Sequence, residues 1–303
     1  MWSEPELTEK LRRQAGVPRS AGIVLGIGDD CAIVRPRGAR EDWLYTTDML
    51  IEETHFRRQT HRAADVGWKA LARGLSDIAA MGGEARFCLL SLALASWVDA
   101  RWVNGFYDGL LTLAGRAGAA LIGGDLARTD RVMCDIVVAG TVPRGKALRR
   151  DGARAGDAIY VSGALGGSAL GLAMGRGRAW GRHKRPEPRL ALGRFLRTRI
   201  GATAAMDLSD GLSLDLHRLC AASGLRAEIS APPVYRGATL EQAVNGGEDY
   251  ELLFTTPARA VVPETFEGLA LTRIGTMRKG TAGAVQMDGK PLPPLGYDHL
   301  RNL

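Results

Sequence analysis

Two adjacent carboxylates follow two glycines in Leu25-Gly26-Ile27-Gly28-Asp29-Asp30-Cys31-Ala32-Ile33-Val34, and no other stretch constrains the fold as much. Glycine lets the backbone adopt positive φ or approach a ligand closely. The apolar run after Asp30 reads as a buried strand, so both acids sit at the mouth of a tight turn that feeds it. A plain hairpin turn would explain this stretch alone, since Gly and Asp are ordinary turn residues. The pattern returns, however. Thr46-Thr47-Asp48, Gly123-Gly124-Asp125 and Asp207-Leu208-Ser209-Asp210-Gly211 each place Asp at or near the end of an apolar run.

With 303 residues the chain has room for two domains. Glycine supplies 39 of them, well above the usual ~7%. Apolar runs lie between the glycines, so the excess implies backbone-lined turns rather than disorder. The longest apolar run, around Phe87 to Ala95, falls far short of the ~20 residues of a membrane span. The acidic start, Glu4, Glu6 and Glu9, holds no signal-peptide core, and a cytoplasmic location is expected. Cys31, Cys88, Cys134 and Cys220 are widely spaced with no C-x-x-C, which suggests neither a zinc site nor a disulfide framework. The net charge of +7 is mostly scattered arginine: Arg12-Arg13, Arg57-Arg58, Arg149-Arg150 and a loose cluster from Arg176 to Arg189. Without a basic helix or a basic–aromatic strand these read as solvated surface, not a nucleic-acid site. Some arginines can still serve the phosphates of a small ligand.

Periodicity and breakers then give the elements. Glu4 to Ala15 predicts a helix with acids early and bases late, as the helix dipole favours. Trp43 to Thr47 predicts a strand that delivers Asp48, followed by a polar loop, Glu52 to Arg57. Ala64, Trp68, Leu71, Leu75 and Ile78 predict an amphipathic helix that stops at Gly82-Gly83. Asp77 lies on it one turn after Arg73, as a surface i,i+4 pair or as a functional acid. An acid near a helix C-terminus is disfavoured by the dipole, so a nearby cation would help explain it. Phe87–Leu94 and Val132–Val142 read as strands and Asp99 to Ala119 as a helix. Ala120–Ile122 reads as a short strand ending in Gly123-Gly124-Asp125. A domain boundary is expected near residue 149, giving domains 1–148 and 149–303. Beyond it come a strand, Ala158–Ser162, a Gly-rich turn, Gly163 to Ser168, and a helix to about Met174. That turn can present N–H groups to phosphate, although such turns often only pack. The helix Leu212 to Ala222 and the strand Leu252–Thr255 follow.

If the acid-bearing ends converge, two carboxylates ~4 Å apart repel by about 4 kcal/mol at an effective dielectric near 20. Such a cluster needs a cation or raised pKa values. The ligands on offer are hard oxygens, which suit Mg²⁺, and no His/Cys cluster competes for a softer metal. Acids with Mg²⁺ and Gly-rich turns point to nucleotide phosphoryl transfer. A P-loop is excluded, because Gly145-Lys146 and Gly289-Lys290 are each followed by the wrong residue. A Rossmann fingerprint is absent as well. The residues alone therefore reach a Mg²⁺-dependent, non-P-loop, phosphate-handling enzyme.

The ordered set of motifs goes further. Gly26-Ile27-Gly28-Asp29-Asp30, Thr46-Thr47-Asp48, His55-Phe56, Leu75-Ser76-Asp77-Ile78-Ala79-Ala80-Met81-Gly82, Gly123-Gly124-Asp125, Asp207-Leu208-Ser209-Asp210-Gly211, Gly246-Gly247-Glu248-Asp249-Tyr250-Glu251 and Gly296-Tyr297-Asp298 resemble thiamine-monophosphate kinase along nearly the whole chain. The wider superfamily includes aminoimidazole ribonucleotide synthetase and selenide, water dikinase. The latter is disfavoured, as no N-terminal Cys-x-x-Lys-type segment is present. The resemblance implies an α/β (α+β) chain of two domains with an aminoimidazole ribonucleotide synthetase-like fold. Its N-terminal mixed sheet would join a second copy's in a homodimer barrel, and its C-terminal domain would be an α/β sandwich. It implies ATP-dependent phosphorylation of thiamine phosphate to thiamine diphosphate, with several Mg²⁺ ions and no phosphoenzyme. By motif, Asp30, Thr46, Thr47, Asp48, Asp77, Asp125, Asp207 and Asp210 correspond to metal ligands, Asp30 and Asp210 being the catalytic pair. Asp29 stands as a ligand in place of Asp30 or alongside it. Tyr107, Gly124, Asp125, Arg150 and Ser209 correspond to ATP contacts, and His55, Glu248 and Tyr297 to thiamine phosphate contacts. Two departures stand out. The family often has Gly two residues before the loop His, where this chain has Glu53 and then Thr54, and its Leu-Gly-Asp-Ser turn is here Leu165-Gly166-Gly167-Ser168. The alternatives are another small-molecule enzyme of the superfamily and a non-catalytic protein that binds nucleotides or nucleic acid.

Overall fold

The computed structural model describes residues 3–16 and 22–300. Helix α1 (Glu4–Ala15) opens the chain, with Glu6 reaching back to the Ser3 N–H at 2.8 Å. Six strands then form a mixed sheet: β1 (Ile23–Leu25), β2 (Ala32–Val34), β3 (Glu41–Ile51), β4 (Glu84–Leu94), β5 (Ala120–Arg128) and β6 (Met133–Pro143), in the order β1-β2-β3-β6-β4-β5. Only β4 and β5 pair in parallel. The helix α3 (Ala100–Ala117) joins them, since parallel neighbours need a crossover. Helix α2 (Ala63–Ala80) packs beside α3 and against β3 and β6. The period-2 alternation of a strand divides β3. Asp42, Leu44 and Leu50 are buried on the helix side, while Thr47 and Met49 are exposed.

The second sheet holds β7 (Ala158–Ser162), β8 (Ala204–Asp207), β9 (Arg226–Ile229), β10 (Leu252–Thr256), β12 (Leu269–Arg278), β13 (Val285–Met287) and β14 (Lys290–Pro291), with β11 (Thr265–Phe266) on the side of β12. Its strands send alternate residues into two cores. Ile159, Val161, Met206 and Leu253 pack with Leu212, Leu216 and Leu219 of α7 (Leu212–Ala222). Ala205, Leu252 and Phe254 pack with Leu192 of α6 (Leu190–Phe195) and Leu196 of the π-helical turn after it. Helices α4 (Gly167–Met174), α5 (Gly177–Lys184) and α8 (Leu240–Asn245) complete this half. No helix among the described residues is long and apolar enough to cross a membrane.

Three expectations are corrected. β5 does not end at Gly123-Gly124-Asp125 but runs on to Arg128. Gly124 serves close approach rather than termination: with φ +155°, a Cβ on it would lie 1.8 Å from the Leu90 carbonyl oxygen. The amphipathic helix is buried on its polar side too, Asp65, Lys69 and Ser76 included, because the second half packs there through α6 and β8. The Arg176–Arg189 cluster is not simply solvated surface. Lys184 and Arg185 pair with buried Asp65 at 2.8 and 2.5 Å, and Arg182 and Arg189 pair with fully buried Glu251. These bonds tie the second half to α2 and to its own sheet.

Helix α2 is gripped by carbonyl-to-glycine contacts on both sides. A Cβ at Gly109 would stand 1.9 Å from the Ala64 oxygen, and one at Gly193 would stand 1.9 Å from the Ala79 oxygen. Gly109→Val is therefore expected to force α2 and α3 apart and destabilise the protein by about 1–3 kcal/mol or more, read as a lower midpoint in urea unfolding. Gly115→Ala is the control, as nothing lies within 4 Å of its added Cβ.

Candidate active site

The two halves enclose a cavity of about 530 Å³, and α2 runs along its floor with four polar side chains directed to it or beneath it. Asp30 comes from the turn before β2, Asp77 from the last turn of α2 and Asp207 from the end of β8. One carboxylate oxygen from each lies within 4.8 Å of the others. Burial and their mutual repulsion push Asp77 and Asp207 well above the usual carboxylate range. Each of the three has a single polar support. The Thr46 hydroxyl donates to Asp77 at 2.5 Å, Ser76 donates to Asp207 at 2.7 Å, and Arg150 Nη2 donates to Asp30 at 2.5 Å. Asp30 Oδ2 is buried without a hydrogen-bond partner.

Arg73 does not pair with Asp77 one turn on. It reaches across to Asp48 on β3, at 2.7 and 3.1 Å, leaving its Nη1 buried without a partner. Burial raises Asp48 against the pull of this arginine. Asp29 anchors the turn by accepting from the N–H groups of Asp30 and Arg150 at 3.0 and 3.1 Å. Burial and the neighbouring Asp30 raise it to about 7. Asp210 is bound by Arg218, and Asp215 accepts from the Asp210 and Gly211 N–H groups at 3.0 Å each. Arg73, Ser76, Asp215 and Arg218 were not singled out as site residues from sequence. Arg73 had one legible signal, its helical spacing from Asp77. Ser76 stood beside Asp77 within a quoted motif, and Asp215 and Arg218 carry no motif.

The other end of the cavity is built on Lys69. This fully buried ammonium donates to the His55 carbonyl at 3.2 Å and to Glu248 at 2.9 Å. Burial alone would raise Glu248, but Lys69, His183 and Arg73 prevail and hold it at about 2. Glu248 and Tyr250 take left-handed φ of 64° and 51°, a strained backbone that aims them inward. Burial keeps His55 neutral, its pKa down at about 3. The Ile51 N–H donates to its Nδ1 at 3.0 Å, so the proton of the neutral ring sits on Nε2, which has no partner. His299 stands 5.2 Å from His55 and 4.7 Å from Tyr297, whose N–H is bound to the Asp210 carbonyl.

The structure thus gathers Asp30, Thr46, Thr47, Asp48 and Asp77 with Asp207, Ser209 and Asp210, and places Arg150, His55, Glu248 and Tyr297 on the same cavity. Thr47 turns its hydroxyl to Asp135 at 2.7 Å, on the sheet's other face. Tyr107, Gly124 and Asp125 do not line the cavity. Asp125 stands in a row with Ser91 and Asp135 across β5, β4 and β6, and Tyr107 packs on α3 against Phe106. The Gly163–Ser168 turn has its Gly166 and Ser168 N–H groups taken by the Asp249 carboxylate at 2.5 and 2.9 Å, so those two are not free for a phosphate. At the first family departure, Glu53 itself holds the left-handed conformation, φ 67°, that glycine would adopt without strain.

Residues 28–142 match the family model "AIR synthase related protein, N-terminal domain", and residues 154–288 match its C-terminal counterpart. The thiamine-monophosphate kinase of Escherichia coli strain K12 is 39% identical over 307 aligned positions, covering 92% of each chain. That of Bacillus subtilis is 33% identical, covering 93% of this chain and 95% of its own. Among solved structures, "AaThiL complexed with AMPPCP and TMP" superposes with a TM-score of 0.86 at 31% identity, covering 98% of this chain and 97% of that one. The thiamine-monophosphate kinase of Stenotrophomonas maltophilia superposes with a TM-score of 0.75 at 36% identity, covering 94% and 96%. With the acid cavity built from motifs spread along both halves, these likenesses show that the chain belongs to the thiamine-monophosphate kinase family and has the two-domain AIR synthase-related fold.

Proposed function

We propose that this cavity transfers the γ-phosphoryl group of ATP directly to thiamine phosphate, giving thiamine diphosphate, with Mg²⁺ held by the buried acids. The observation that carries the reading is the trio Asp30, Asp77 and Asp207, within 4.8 Å and with one oxygen unpartnered. Hard carboxylate oxygens in this number suit Mg²⁺, and Asp48 and Asp210 flank them. Bound there, Mg²⁺ would neutralise charge on the transferring phosphoryl group.

The chain's own residues do the rest. Arg150 Nε and Arg73 Nη1 are buried donors without acceptors on the cavity wall, suited to phosphate oxygens. Ser209 lies between Asp207 and Asp210 on the same wall and can contact the nucleotide. No strong general base is required, since the attacking phosphate oxygen has a second pKa near 6 and is largely ionised at neutral pH. Lys69 and Glu248 fix the thiamine end. His55 Nε2–H is an uncommitted donor, and half-exposed Tyr297 can stack on a flat cationic ring. The four cysteines are buried free thiols, which suits a reducing compartment such as the cytoplasm.

We further propose a homodimer. The open face and edge of the first sheet expose Met49, Leu89, Ile122 and Leu126 at 52, 36, 57 and 68%, more than a lone sheet edge leaves to water without consequence. Asp125 lies on this part of the sheet, so a second copy is the route by which it and Gly124 would join a nucleotide site. The domain division near residue 149 falls in the connection between β6 and β7.

The deciding experiment is conversion of thiamine phosphate by the purified protein with ATP, with and without Mg²⁺, free thiamine serving as control. Turnover of thiamine phosphate that stops with EDTA and returns with Mg²⁺ is expected; turnover indifferent to chelation would remove the metal from the scheme. Asp77→Asn should cut turnover ~100-fold or more while raising the thermal midpoint of the metal-free protein. Because the folded pKa of Asp77 is raised, its ionisation destabilises the native state as pH climbs above the normal carboxylate range. The stability gain of the variant over wild type is accordingly expected to grow with pH. Leu126→Asp should convert a dimer to monomers in analytical ultracentrifugation.

A further inference from the structure

The start of the chain contributes to the thiamine end of the cavity. Glu4 lines it, and its Oε2 is buried with no hydrogen-bond partner. Its backbone N–H donates at 3.3 Å to Asp298, the residue between Tyr297 and His299. Both of those also line the cavity, so α1 and the 297–299 segment meet at one wall.

The charges on that wall are otherwise spent. Glu248 lies 2.9 Å from Lys69, and Glu53 lies 3.5 Å from Arg57. His55, His61 and His183 are all held neutral at physiological pH by burial, at about 3, 4 and 3. Glu4 has no ion-pair partner among the described residues. Thiamine phosphate carries a permanent positive charge on its thiazolium ring. With its phosphate at the arginine and acid end, the ring is left beside the wall where Glu4 stands. We propose that Glu4 is a substrate-binding residue whose carboxylate pairs with this cationic ring. The inference rests on the thiamine-phosphate reading of the cavity. A first-turn acid also favours the helix dipole, and that role alone would alter stability but not discriminate between substrates.

The test compares wild type with Glu4→Gln on two substrates: thiamine phosphate, and an analogue in which a neutral thiophene replaces the thiazolium ring. Glu4→Gln is expected to raise KM for thiamine phosphate about tenfold, the worth of one modest ion pair, with kcat and the KM for ATP little changed. The KM for the neutral analogue should stay within about twofold of wild type, so that the ratio of the two KM values moves. An unchanged ratio overturns the assignment, whether both values rise together, as for a structural defect, or neither moves. Wild-type protein that does not turn over thiamine phosphate overturns the site reading and this inference together. Turnover by wild type with an unmoved ratio overturns only the role of Glu4.

Discussion

Three carboxylates that repel one another, held close and mostly out of water, are the constraint around which this protein is arranged. Asp30, Asp77 and Asp207 come from a turn, a helix end and a strand end in both halves of the chain. Left to themselves they would separate. They are held by one donor each, from Thr46, Ser76 and Arg150, and by the packing of the elements that carry them. Nothing about folding alone favours the arrangement. It becomes favourable when positive charge is delivered between the acids, the role proposed above for Mg²⁺.

The sequence made one side of this legible. Strands, the long helix and the acid motifs follow from period, glycine and position, and most motif acids reach the cavity they were expected to reach. What was hidden depends on tertiary partners. Lys69 sits inside a helix whose period marks a buried face, and nothing local says that its charge answers Glu248, 179 positions away. The arginines from 182 to 189 look like surface until Asp65 and Glu251 are seen beneath them. Gly123-Gly124 looks like a stop, because glycine ends elements more often than it lets two strands approach. The short strands from Thr265 onward lie where few motifs mark the chain.

Three of the six left-handed non-glycine residues among those described lie at the same place. Glu53, Glu248 and Tyr250 hold left-handed conformations that cost side-chain-bearing residues on the order of 1–3 kcal/mol each. All three border the cavity. The hydrogen bonds from the 248 and 250 N–H groups to the Ser209 and Leu208 carbonyls show what sustains the strain: the loop that carries Asp207 and Asp210 is clamped against the segment that carries Glu248. The Asp207–Asp210 side of the cavity and its Glu248 side are thereby set at a fixed spacing.

Helix α2 carries a consequence for how the molecule comes apart. It sets Lys69 beneath one end of the cavity and contributes Arg73 and Asp77 to the other, while Gly109 and Gly193 press backbone against backbone on its two flanks. It belongs to the core of the first sheet and, through Ala80, to a core of the second. A helix shared in this way couples the melting of the halves, so the chain has little means of loosening one lobe while keeping the other intact. Ligand affinity, drawn from side chains of both lobes, is then spent on the cooperativity of the whole fold.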